Sequence, residues 1–209
     1  MDYLYLKELF ERCLNSEYEQ VEDGGSFCVC EEGDHLYLLF EKSNGVEDWI
    51  NNLSYGAVSA GEAGDWYCHE GFLRVWQSVF PYVERYVSDP QIKKITTVGY
   101  SHGAALAVLC HEYVWDKRRE NAAIEGYGFG CPRVVFGFAP EEGERWRDFY
   151  VIRNIDDAVT HLPPRLLGYR HVGRLIEIGK RGRYSPVDAH REENYIIELE
   201  NMSMRWQTT

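Results

Sequence analysis

Apolar residues recur at near-helical spacing through the first twenty positions. Leu4, Leu6, Leu9, Phe10, Cys13 and Leu14 predict an amphipathic helix over 2–20. The period then shortens to two, so 27–30 and 36–40 read as strands joined by a turn at Glu32-Gly33-Asp34. Val46, Trp49, Ile50 and Leu53 fall at i, i+3, i+4 and i+7, an apolar stripe on a short helix. Positions 72–87 keep the helical period with Val75, Trp76, Val79 and Val83 inward, and Pro81 is expected to kink or divide that helix. Beyond it come a strand over 95–98, an alanine-rich helix over 104–115 and a strand over 124–129 that stops at Gly130-Cys131-Pro132. Strands over 149–153 and 171–178, parted by Pro163-Pro164, and a short helix from about 190 complete the pattern. This alternation predicts a three-layer α/β sandwich with a mainly parallel central sheet, and residues 1–209 as a single domain.

Charge narrows the partners. With 22 Lys and Arg against 34 Asp and Glu, the formal charge of −12 excludes nucleic acid, which needs clustered positive charge. It also opposes general attraction to anionic membranes. The stretch 165–183 is locally basic and reads as a solvated strand region. No transmembrane segment is expected, because no apolar run is long enough. The start, Met1-Asp2-Tyr3-Leu4, lacks a basic region followed by an apolar run. The six cysteines read as buried thiols rather than a disulfide framework. A cytoplasmic location is therefore expected, with export by another route left open. Cys28 and Cys30 share one strand face with no second Cys/His pair at ligand spacing, so no metal and no cofactor are expected. The sequence assigns no oligomeric state.

Candidate chemistry centres on Gly99-Tyr100-Ser101-His102-Gly103, between a predicted strand and a predicted helix. A serine at such an apex sits in a strained conformation that holds its hydroxyl off the sheet, and glycine is needed at both flanks where side chains would collide. The helix that follows offers backbone N–H donors and its positive dipole end to a developing oxyanion. A serine hydroxyl also needs a base, and the base needs an acceptor that fixes its tautomer. His190, in a loop after the last strand, is the expected base. Asp156 and Asp157 both stand at the end of the 149–153 strand and compete for the acid.

These blocks resemble the class 3 (fungal-type) lipase and feruloyl esterase family of the α/β-hydrolases, over about 36–199. Phe40-Glu41-Lys42-Ser43 with Asp48-Trp49 and Asn52-Leu53 is similar to the family's Phe-Arg-Gly-Ser/Thr, Asp-Trp and Asn-Leu. His69-Glu70-Gly71-Phe72, the serine pentapeptide, Phe129-Gly130-Cys131-Pro132-Arg133-Val134, Asp157-Ala158-Val159 with Leu162-Pro163-Pro164, Gly168-Tyr169 with His171-Val172-Gly173, and Asp188-x-His190 with Asn194-Tyr195 follow in family order. The resemblance implies a lipase-like carboxylic-ester hydrolase with Ser101 as nucleophile, Asp157 as acid and His190 as base. It implies an oxyanion hole at Ser43 and the backbone N–H of His102, and an acyl-ester or lipid substrate. The stripe Val46, Trp49, Ile50, Leu53 then becomes a candidate lid or acyl-cleft helix. Glu41-Lys42 replaces the family's Arg-Gly. A carboxylate aimed into the hole would oppose an oxyanion, which motivates an alternative: an acyl-binding or interaction module with little turnover. Amide or thioester cleavage by the same triad is the remaining alternative.

Overall fold

The computed structural model describes residues 2–21, 24–41, 55–61 and 64–207. The stripe Val46, Trp49, Ile50, Leu53 and the candidate donor Ser43 lie outside them.

Helix α1 (Tyr3–Asn15) starts where the Asp2 carboxylate accepts from the N–H groups of Leu4 and Tyr5, donors the first turn leaves unpaired. Short β1 (Glu19–Gln20) leads to β2 (Ser26–Glu32) and β3 (His35–Phe40), which pair antiparallel. Two brief strands follow, β4 (Ala57–Ala60) and β5 (Trp66–His69), then α2 (Glu70–Val87). The central unit is β6 (Lys94–Tyr100), α3 (His102–Arg118) and β7 (Ala123–Phe129). After it come β8 (Val135–Phe136), α4 (Glu142–Arg145), β9 (Phe149–Asn154), β10 (Tyr169–Arg170), β11 (Arg174–Ile178) and α5 (Glu192–Gln207).

The main sheet runs β1-β2-β3-β6-β7-β9-β11, and from β3 onward every neighbour is parallel. Both faces are covered. Leu36, Leu38, Phe40 and Ile95 point to a core shared with α2 and α3. Tyr37, Leu39, Val98 and Tyr100, one residue out of phase, point to a second core with Leu6, Phe10, Tyr195 and Leu199 of α1 and α5. These are the three layers expected.

Three elements depart from the sequence expectation. A separate antiparallel sheet, β10-β8-β5-β4, has strands of two to four residues, too short to display a period. Pro81 does not divide α2, because both it and Gln77, whose carbonyl loses its partner, face solvent. The terminal helix is long, with Tyr195 and Leu199 closing the second core, and His190 lies in a 3₁₀ turn before it.

Candidate active site

Ser101 sits between β6 and α3 with φ 57° and ψ −122°, a left-handed conformation costly for any residue with a side chain. The flanking glycines make it possible. A Cβ on Gly99 would stand 2.1 Å from the carbonyl oxygen of Gly103, and one on Gly103 would stand 2.2 Å from that of Phe40. The helix start is thus driven hard against the ends of β3 and β6. The N–H of His102 opens α3 directly beside the serine, where the helix dipole favours negative charge.

Ser101 and Asp157 are fully buried and His190 nearly so. Ser101 Oγ lies 2.8 Å from His190 Nε2, and His190 Nδ1 lies 2.8 Å from Asp157 Oδ2. A carboxylate only accepts, so Nδ1 carries the proton and Nε2 turns its lone pair to the serine hydroxyl. The chain is arranged to move a proton from Ser101 to His190 and to stabilise the imidazolium that results.

Each member is held from behind. Asp157 Oδ1 accepts from the Val159 N–H at 2.8 Å, while Oδ2 also accepts from the Tyr195 hydroxyl at 2.6 Å. That hydroxyl in turn accepts from the Asn154 N–H, and the Asn154 amide donates to the Ala189 carbonyl, tying the aspartate loop to the histidine loop. Tyr100 stacks on the His190 ring and its hydroxyl donates to the His190 carbonyl. Gly130, at φ 57°, leaves room for the imidazole: a Cβ there would stand 2.9 Å from His190 Cε1. Burial and the neighbouring Asp157 charge push the Tyr195 hydroxyl far above the ordinary tyrosine range, so it stays a donor. Sequence reasoning gave Tyr100, Gly130, Asn154 and Tyr195 no task. Gly130 and Tyr195 fall inside motif blocks, the signal that could have found them.

The competitors are engaged elsewhere. Asp156 accepts from the N–H groups of Arg183 and Tyr184, and Asp188 from the Ser185 hydroxyl. His35 pairs with Thr96, and His171 with the Thr160 carbonyl. Burial lowers His102, beside Phe72, to about 4. Glu41 accepts from the Gln20 amide at 3.2 Å, out on the sheet edge. Its carboxylate is turned to β1, which removes the objection that motivated the binding-module alternative. Among the described residues no cluster of three His, Cys, Asp or Glu could hold a metal, and no helix is long and apolar enough to cross a membrane.

Fold and site together define an α/β-hydrolase with a serine-centred hydrogen-bond triad. The chain belongs to the class 3 lipase family, whose sequence model matches residues 37–167. It is 30% identical over 136 residues to secreted mono- and diacylglycerol lipase 1 of Fusarium solani, covering 60% of this chain and 38% of that one. It is 28% identical over 149 residues to a lipase of Rhizomucor miehei, covering 66% and 40%. A secreted mono- and diacylglycerol lipase of Malassezia globosa is 29% identical over 149 residues, covering 68% and 48%. The chain thus spans less than half the length of these relatives. Among solved structures, the Rhizomucor miehei triacylglyceride lipase superposes with a TM-score of 0.63 at 22% identity, over 78% of this chain and 66% of that one. A fungal lipase–inhibitor complex superposes at 0.64 and 19%, over 90% of each chain.

These relatives correct the expected cytoplasmic location, since the Fusarium and Malassezia proteins are named as secreted. The expectation leaned on the start of the sequence, on its acidic charge and on free thiols, and the structure removes the last of these supports. Cys13, Cys68, Cys110 and Cys131 are buried, and burial pushes Cys13 and Cys68 up to about 12. Thiols so shielded stay reduced for local reasons, whatever the compartment.

Proposed function

We propose that the protein is a serine carboxylic-ester hydrolase, with residues 1–209 as one hydrolase domain. Ser101 Oγ attacks the acyl carbonyl while His190 Nε2 takes its proton. The tetrahedral oxyanion is held by the His102 N–H at the start of α3 and by Ser43, the second donor implied by family membership. The intermediate collapses to an acyl-serine as His190 returns the proton to the leaving alcohol. Water, deprotonated by His190, then attacks the acyl-serine and releases the acid and free Ser101. Asp157 holds the imidazole in the required tautomer throughout. Mono- and diacylglycerols, named for the relatives, and smaller soluble esters are the substrate classes.

The observation that carries this reading is the unbroken chain Ser101–His190–Asp157, with both contacts at 2.8 Å. The test is turnover of p-nitrophenyl esters from acetate to palmitate, mono- and diacylglycerols, a thioester and an anilide, by wild type and Ser101→Ala. Ester turnover that falls on the order of 10⁴-fold in the variant supports the assignment. Ester rates equal in both proteins overturn it, and faster thioester or anilide turnover moves the substrate class.

A further inference from the structure

Cys13, Cys68, Cys110 and Cys131 are buried, but two thiols are not. Cys28 and Cys30 are half-buried on one face of β2, and their sulfurs lie 3.6 Å apart. They sit under the end of α1. The Arg12 guanidinium, which pairs with Glu32, stands 4.0 Å over the ring of Tyr37, the β3 partner of Cys30. The Ser16 hydroxyl stands beside Cys28. Burial and the neighbouring Cys30 push the Cys28 thiol up to about 11, against the pull of Ser16 and Arg12. Cys28 therefore keeps its proton at neutral pH, and Cys30 is the thiol that attacks first.

The backbone lets these sulfurs meet and makes a bond between them easy to break. In a strand, residues i and i+2 stand about 6.4–6.8 Å apart at Cα, the upper end of what a disulfide spans (about 4.4–6.8 Å). Closing the bond therefore bends β2. The strand has room to bend: β1 reaches only Ser26 and Phe27, so among the described residues Cys28 and Cys30 pair with β3 alone. A bend at an edge disturbs one ladder, not two. The ring closed by the bond holds a single intervening residue, Val29, so little chain entropy is removed from the unfolded state. A strained bond with so little entropic support is readily reduced. The pair suits exchange rather than stapling of the fold.

We propose that Cys28 and Cys30 form a thiol–disulfide exchange site whose co-substrate is a small disulfide of the glutathione type. The Cys30 thiolate attacks one sulfur of that disulfide, forming a mixed disulfide and releasing one small thiolate, which takes up a proton. Capping Cys30 removes its opposition to negative charge on Cys28. Cys28 then gives its proton to solvent and attacks Cys30 Sγ, 3.6 Å away, closing the bond between them and releasing the second small thiol. Both protein thiols are oxidised, and the one small disulfide is reduced to two thiols. The reverse sequence, driven by excess small thiol, reopens the pair. None of these steps uses Ser101, His190 or Asp157, so the exchange and the ester chemistry are independent.

The test uses the whole folded chain with glutathione disulfide as the probe. Samples are quenched in acid, free thiols are alkylated after unfolding, and intact mass and peptide mapping count and place them. The expected result is loss of two thiols, with an intramolecular bond in the peptide carrying Cys28-Val29-Cys30. Excess reduced glutathione, added to the folded protein, should restore both thiols. The four buried cysteines should stay reduced throughout. Cys28→Ser should stop at a glutathione adduct on Cys30. Cys30→Ser should react about tenfold or more slowly than Cys28→Ser, because its remaining thiol holds its proton. Melting temperatures check the fold of each variant, and the wild-type result decides even where a variant fails to fold. No reaction at Cys28 and Cys30, oxidation placed on another cysteine, or a bond that excess reduced glutathione leaves intact would overturn the proposal. Equal rates in the two variants would overturn Cys30 as the attacking thiol.

Discussion

Tyr195 and His190 donate to the same oxygen: Asp157 Oδ2 receives the tyrosine hydroxyl at 2.6 Å and the imidazole Nδ1 at 2.8 Å. The aspartate is therefore fixed by groups on both sides of the loop that leads into α5. Asp157 can keep one orientation only while this helix stays docked on the sheet. The long terminal helix thus belongs to the site as much as to the core.

Replacing Tyr195 by Phe removes that donor and leaves the Asn154 N–H without its acceptor. A hydrogen bond to a charged group is worth about 1.5–3 kcal/mol, so kcat on a soluble ester should fall at least about tenfold with KM little changed. Steady-state kinetics checks this, and an unchanged kcat would show that Val159 and His190 suffice to hold Asp157.

Gly130→Ala places a methyl group against His190 Cε1 at a residue whose backbone is left-handed. The imidazole must shift, or the β7 end must. Activity should fall by about 10²-fold, the cost of misplacing a catalytic group by roughly 1 Å. The loss should exceed that from Gly137→Ala, also at positive φ but with open space around it. Equal losses would assign the effect to backbone strain alone.

Arg145 bridges Glu112 at 2.5 Å and Asp65 at 2.9 Å, far from the triad. Burial pushes the Glu112 carboxyl up to about 7 against the pull of Arg145. Arg145→Met leaves that carboxyl buried without its cation, so it takes up a proton even at pH 8, and the linked cost there should be about 1–2 kcal/mol of stability. The deficit should shrink on acidification, as the wild-type Glu112 takes a proton too. Urea denaturation at several pH values reads both effects, and a deficit independent of pH would show that lost packing, not charge, is responsible.

His102 and His111 are buried and His171 is half-buried, and desolvation lowers each from 6.5 to about 4. They stay neutral in the folded chain while the unfolded chain takes up protons below 6.5. Stability is therefore lost as pH falls from about 6.5 to 4. Glu112 acts in the opposite sense, since its carboxyl is raised from 4.5 to about 7 and favours the fold at low pH. Three groups outweigh one, each with a limiting slope of about 1.4 kcal/mol per pH unit. Stability should rise with pH between about 4.5 and 6.5; a flat or falling profile would mean that at least two of the histidines are protonated in the native state.

Ser101, Asp157 and His190 were legible because chemistry restricts them to fixed places on the chain. The serine must stand between glycines that allow the close approach of α3 to β3. The acid must follow a strand, and the base must return over the sheet from a later loop. Spacing alone left Asp156 and Asp157 equal; family resemblance chose Asp157, and the structure puts Asp156 on the backbone of Arg183 and Tyr184. The main sheet was legible because a buried strand such as β3 is a continuous apolar run from Leu36 to Phe40. The small sheet was not, because Val135–Phe136 and Tyr169–Arg170 owe their conformation to distant partners rather than to local pattern. Tyr195 was marked only by its motif block, because locally an inward aromatic on a helix looks the same whether its hydroxyl is used or idle.

The central claim is that Ser101 is an activated nucleophile. The most direct measurement is intact-mass and peptide mapping after exposure to an alkyl p-nitrophenyl phosphonate, for wild type, Ser101→Ala and His190→Ala. The account predicts a single phosphonyl adduct on Ser101 with release of one p-nitrophenolate, none in Ser101→Ala, and much slower labelling in His190→Ala. Labelling on another residue, or equal labelling rates with and without His190, would contradict it.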